Sequence, residues 1–203
     1  TFEQLQNEYK AIKDIPEKLQ AALKKQFFAA CDTYHHQLRG IANRQHQKQR
    51  DELARRAQLC CELEKHLDST TAEQLTANWQ QHTLPADWEK AIDSRKQQAL
   101  LAFHQQTPLD NVANTQRRRE LCIAVEVLLD LETPEEDRQQ RRALQLKKLQ
   151  QGLGQAAASN NRQAALEQLW LDWHCTGSAA PDEHTTLQTR FDNAVAQTHL
   201  VQR

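Results

Sequence analysis

The sequence predicts an all-α fold, built as an elongated series of tandem helical-hairpin repeats that includes at least one long coiled-coil-like helix. Three observations predict it. Gly occurs 4 times and Pro 5 times in 203 residues, too rarely for the turn punctuation that sheets require. Apolar residues recur at helical spacing over long uninterrupted runs. One stretch also returns almost intact: Arg55-Arg56-Ala57-Gln58-Leu59-Cys60-Cys61-Glu62-Leu63-Glu64-Lys65-His66-Leu67-Asp68 comes back as Arg117-Arg118-Arg119-Glu120-Leu121-Cys122-Ile123-Ala124-Val125-Glu126-Val127-Leu128-Leu129-Asp130.

Each element follows from its own pattern. Phe2, Leu5, Tyr9 and Ile12 stand at helical spacing and end at Asp14-Ile15-Pro16, a turn. From Glu17 to about Asp68 there is no Pro, and Leu19, Leu23, Phe27, Ala30, Tyr34, Leu38 and Ile41 keep one apolar face. That helix would span roughly 75 Å, with room for a kink at Gly40 and a polar middle, Asn43 to Asp51, facing water. Asp68-Ser69-Thr70-Thr71 caps a short helix through Leu75 to about Gln81, and Leu84-Pro85-Ala86-Asp87 is the next turn.

A helix from Trp88 to Gln105 is interrupted at Thr107-Pro108, after which Asp110 to Leu131 carries the second copy of the recurring stretch. Thr133-Pro134-Glu135-Glu136 reads as a helix start, with Thr133 as the cap and Glu135, Glu136 and Asp137 as acids at the positive end of the helix dipole. That helix closes at Gly152-Leu153-Gly154. Asn160-Asn161 opens a helix bearing Leu166, Leu169, Trp170 and Trp173, and Asp182 to about Val201 forms the last one.

A second recurrence joins beginning, middle and end. Leu5 and Tyr9 with Leu23, Phe27 and Ala30 match Leu169 and Trp173 with Leu187, Phe191 and Ala194 at one constant offset, and the middle copy is Leu75 and Trp79 with Ile92, Arg95, Lys96 and Ala99. Lys96 stands where the outer copies have Phe. The shared unit is a helical hairpin whose apolar, aromatic and Ala positions lie on one face. The chain accordingly divides into a first repeat unit with the long helix (1–70), a second with its following helix (71–154) and a partial third (155–203).

Taken together, Trp79 or Trp173, a Pro-containing turn, Leu187-x-x-Arg190-Phe191-x-x-Ala194, Arg118-Arg119-Glu120-Leu121-Cys122-Ile123 and Glu132-Thr133-Pro134-Glu135-Glu136-Asp137-Arg138 resemble the bacterial domain-of-unknown-function 349 family. The resemblance reads most strongly from Arg117 to Gly154. It implies long tandem helical repeats and a bacterial origin, brings no known catalytic residue, and would make this chain a C-terminal fragment, as does a chain opening on Thr1 and containing no Met.

Composition narrows the functional classes. A hydrophobic share of 38% implies a thin core, and a formal charge of −1 with 26% charged residues confines any nucleic-acid footprint to a local patch. No apolar run approaches a membrane span and Thr1 to Lys10 lacks a signal-peptide core, so the expected location is cytoplasmic. The 5 Cys are odd in number and three sit in apolar stripes, which fits reduced thiols acting as small hydrophobes.

The residues that could meet a macromolecular partner or nucleic-acid phosphates are Arg44, Lys48, Arg50, Arg55, Arg117, Arg119, Arg138, Arg141 and Arg142, with Arg56, Arg118, Lys147 and Lys148 in the same runs. A structural use competes with that reading. Arg56, Cys60 and Glu64 stand four apart, as do Arg118, Cys122 and Glu126, so antiparallel packing of the two copies predicts Arg56 against Glu126 and Arg118 against Glu64.

Other chemistry is sparse. Cys31 with His35 and His36 supplies too few ligands for zinc, Cys60-Cys61 lacks the spacer of a redox pair, and Trp79 and Trp173 occupy a repeated core position. Without a Gly-rich phosphate loop or a nucleophile with a placed base, the expectation is no enzyme, no cofactor and no metal. The expected partners are a protein or the rest of a longer chain, with RNA or DNA as the alternative; the oligomeric state stays open.

Overall fold

The computed structural model describes residues 1–12, 16–65, 73, 77, 79, 82–105, 111–152 and 160–201. Among them there is no strand. The helices are α1 (Phe2–Ala11), α2 (Glu17–Lys65), α3 (Ala86–Gln105), α4 (Asn111–Leu129), α5 (Arg138–Gly152), entered through a 3-10 turn at Glu135–Asp137, α6 (Asn160–Cys175) and α7 (Pro181–Val201). The expected cap at Asp68 to Thr71, most of the short helix around Leu75, the Thr107-Pro108 break and Gly154 lie outside the described residues.

Two compact units divide the chain, Thr1–Lys48 and Gln49–Arg203. In the first, α1 is capped by Thr1, whose hydroxyl accepts from the Gln4 backbone N–H at 3.4 Å, and packs by its rings. Tyr9 stacks on Phe27 at 3.8 Å and Phe2 on Tyr34 at 4.5 Å, which sets α1 antiparallel to α2. Helix α2 continues through Gly40 without interruption.

The second unit has two adjoining cores. One gathers Leu53, Ala57, Cys60 and Leu63 of α2, Trp79, and Trp88, Ile92 and Ala99 of α3, with Leu171 of α6. The other gathers Leu121, Cys122 and Val125 of α4, Trp173 of α6, Ala179, and Leu187, Phe191 and Ala194 of α7. The two recurring stretches thus do the same work in separate cores. Cys60 and Cys122 are buried as expected, whereas Leu59 is only partly buried.

Helix α4 stops where the backbone turns left-handed at Asp130, with φ 59°, and the Leu131 N–H closes on the Glu126 carbonyl at 2.8 Å. One local expectation is corrected here. Thr133 does not cap the following helix; its hydroxyl donates to Glu126 Oε2 at 2.6 Å, and Asp137 is buried rather than displayed in a first turn. A buried carboxylate competes more strongly for that hydroxyl than a helix end in water.

Candidate functional site

One arginine of each recurring stretch turns inward. Arg56 is 1% exposed and Arg118 3% exposed. These two are therefore not available at the surface. Each guanidinium lies over the indole that the repeat pattern supplies, Arg56 over Trp79 at 5.3 Å and Arg118 over Trp173 at 4.5 Å. Each also donates to a carbonyl just beyond that indole, Arg56 to His82 at 2.9 Å and Arg118 to Thr176 at 3.0 Å.

The expected pairing across the two copies is also corrected. Arg56 Nε donates to Glu52 at 2.8 Å and its Nη1 to Glu89 at 2.6 Å. Glu64 takes Arg95 instead, through Nε at 2.9 Å and Nη2 at 2.8 Å, and Glu126 takes Arg190 through Nε at 2.6 Å and Nη2 at 2.9 Å. The sequence pattern placed the charged pairs on the right residues but joined the wrong partners, because each recurring helix packs against the hairpin that follows it, Glu64 facing Arg95 and Glu126 facing Arg190.

Burial and charge set the protonation of this interior. Burial opposes the charge on Glu64, but Arg95 and Ser178 outweigh it and hold the carboxyl below its ordinary range. Burial likewise opposes Arg95 and Arg190, whose carboxylate partners outweigh it and hold both above the ordinary arginine value. Cys60 and Cys122 are pushed up to about 12 by burial, which makes them inert thiols. Burial, reinforced by Arg95, Arg118 and Arg50, pushes His174 down to about 3.

The candidate partner-binding residues are placed as follows. Arg50 lies over Trp170 at 4.7 Å, and Arg55 is held by Glu52 at 2.9 Å and the Trp79 carbonyl at 2.8 Å. Arg117 reaches Asp172 at 3.0 Å, and Arg119 bonds to Glu183. Arg138 pairs with Glu135 at 3.2 Å, and Arg141 donates to Thr133 at 2.7 Å. Arg44, Lys48 and Arg142 are exposed. Within Gln49–Arg203, Arg55, Arg117, Arg119, Arg138 and Arg141 are thus committed to acids, a hydroxyl or a backbone carbonyl of the chain itself.

Sequence reasoning missed Glu52, Asp137 and Ser178. Arg190 donates to Asp137 at 2.5 Å and Ser178 donates to Glu64 from its N–H at 2.9 Å and its hydroxyl at 2.5 Å. A signal existed for the rest: Glu64 recurs as Glu126 and Arg95 as Arg190, in step. Among the described residues no group of three His, Cys, Asp or Glu is placed to hold a metal ion, and Cys31 is a buried residue in α2.

Fold and interior together define an all-α protein whose helices are tied by buried arginine–carboxylate pairs and arginine–indole stacks. Residues 22–99 match the family described as Domain of Unknown Function (DUF349), in keeping with the resemblance read from the sequence, over an earlier stretch than the one where it reads most strongly. No curated protein and no solved structure matches the chain.

Proposed function

We propose that the chain is a non-catalytic helical module that binds a protein partner through the apolar stripe of α2. The observation that carries this reading is a mismatch of lengths. The stripe from Leu19 to Ile41 is about 33 Å long and the ten-residue α1 is about 15 Å long. Helix α1 stacks on the middle, at Phe27 and Tyr34, but covers only Phe27 in part, leaving Leu19 54% and Ile41 53% exposed at the two ends, with Leu23, Tyr34 and Leu38 also exposed. Contiguous exposed apolar residues of this kind mark interaction surfaces.

The test compares proteins that co-purify with the full chain and with a Leu19→Lys/Leu38→Lys variant, after circular dichroism shows equal helicity. Selective loss of a bound protein on substitution supports the reading. Retention of the same proteins, or none with either chain, refutes it.

The alternative, an RNA- or DNA-associated protein, draws on the exposed Arg44, Lys48 and Arg142. It requires binding that weakens steeply with salt and weakens further when these three are replaced by Ala. Cytoplasmic residence is part of the leading proposal; among the described residues no helix is long and apolar enough to cross a membrane.

A further inference from the structure

Arg118 differs from its counterpart Arg56 in one respect that electrostatics does not tolerate well. Arg56 has two carboxylates, Glu52 on its own helix and Glu89 at the start of the next hairpin helix. Aligning the copies places Asn114 where the first has Glu52, and His184 where it has Glu89. Both acids have been replaced by groups without negative charge.

The result is a buried cation that forms no ion pair among the described residues. Arg118 Nε donates to the Gly177 carbonyl at 2.7 Å and Nη2 to the Thr176 carbonyl at 3.0 Å, but among the described residues nothing accepts from its buried Nη1. Carbonyl dipoles satisfy hydrogen bonds without neutralising the charge, and an uncompensated buried charge is strongly unfavourable. Burial first, then Arg95, pushes Arg118 down to about 10, so it stays charged at neutral pH.

Arg118 lines a cavity of about 250 Å³ together with Lys65, Arg95, Cys61, His174 and His184. Among the described residues lining it none is acidic. Lys65 is exposed at its rim, and the charge of Arg95 is already matched by Glu64. His184 presents a second unsatisfied atom, its buried Nδ1, while its Nε2 faces Cys61 Sγ at 4.0 Å.

We propose that this cavity is an oxyanion-binding site, in which a phosphate or carboxylate group takes the place beside Arg118 that Glu52 and Glu89 hold beside Arg56. Arg118 Nη1 and His184 Nδ1 are the buried, unpartnered donors, and Lys65 draws the anion in from solvent. The site is independent of the apolar stripe of α2.

The experiment titrates the full chain with inorganic phosphate and, separately, with acetate, at constant ionic strength maintained with chloride. The readouts are the thermal midpoint and the ring resonances of His184. A saturable rise in midpoint with movement of the His184 signals is expected from at least one anion, and the responding anion identifies the ligand class. His184→Glu supplies internally what Glu89 supplies to Arg56, so it should raise the midpoint without added anion and abolish the response. Lys65→Ala, an exposed change that leaves the fold intact, should weaken the apparent affinity by roughly two- to fivefold. No saturable response to either anion, or a His184→Glu variant that responds like the parent, overturns the proposal.

Discussion

Arg95 and Glu64 form a two-point ion pair, Nε to Oε1 at 2.9 Å and Nη2 to Oε2 at 2.8 Å, with both side chains 3% exposed. The third guanidinium nitrogen donates to the His174 carbonyl at 2.7 Å, so a single arginine of α3 ties α2 to α6. Removing one partner of such a pair strands the other charge in the interior. Glu64→Gln is therefore expected to cost about 3–5 kcal/mol by urea unfolding, whereas a Glu64→Leu/Arg95→Met double variant should cost markedly less. Equal losses in the two would mean that the pair's charge is already neutralised by water.

The acids after Pro134 look alike in sequence and differ in use. Asp137 is 2% exposed and accepts from Arg190, while Glu135 is exposed and pairs with Arg138. Asp137→Asn is expected to lower stability by roughly 3 kcal/mol and Glu135→Gln by less than about 0.5 kcal/mol. Similar values from both would return Asp137 to the role of a helix-dipole acid.

Lys96 sits at the only aromatic position of the recurring hairpin that holds a cation. Its Nζ lies 4.4 Å above the Trp79 ring, in the place where Phe27 stacks on Tyr9 at 3.8 Å and Phe191 on Trp173 at 4.1 Å. Lys96→Phe should restore the ring stack and raise stability by about 0.5–1 kcal/mol in thermal unfolding. A loss instead would show that the cation itself is required over Trp79.

His174 gives the fold a pH dependence. Its pKa falls from an ordinary 6.5 to about 3 in the folded chain. Between those values the unfolded chain binds a proton that the folded chain refuses, so stability should fall as pH drops below about 6.5. His184 is held low as well, first by burial and then by Lys65, Arg118 and Arg95, and adds to the same slope. His174→Phe should make the decline between about pH 6.5 and 5 shallower, leaving the remainder to His184 and then to Glu64 at lower pH. An unchanged slope would place that sensitivity elsewhere.

Much of the fold was legible before any coordinates. The spacing of Leu19, Leu23, Phe27 and Tyr34 specifies a long helix, and α2 runs Glu17–Lys65. The recurrence of Tyr9 with Phe27 and Trp173 with Phe191 specifies one hairpin, and both ring pairs stack. Periodicity reports which residues share a face, and apolar faces must be buried, so helices and core positions follow from pattern alone.

The sequence by itself determined the helical class, the recurring hairpin and the burial of Cys60, Cys122, Trp79 and Trp173. Only the tertiary structure decided that Arg56 and Arg118 point inward, that Glu64 takes Arg95 and Glu126 takes Arg190, and that Arg118 lines a cavity with no carboxylate among its described residues. Helical spacing is local and places a side chain on a face. The partner of a long, flexible charged side chain is set by which helix folds back within reach, and that is a property of the packed chain.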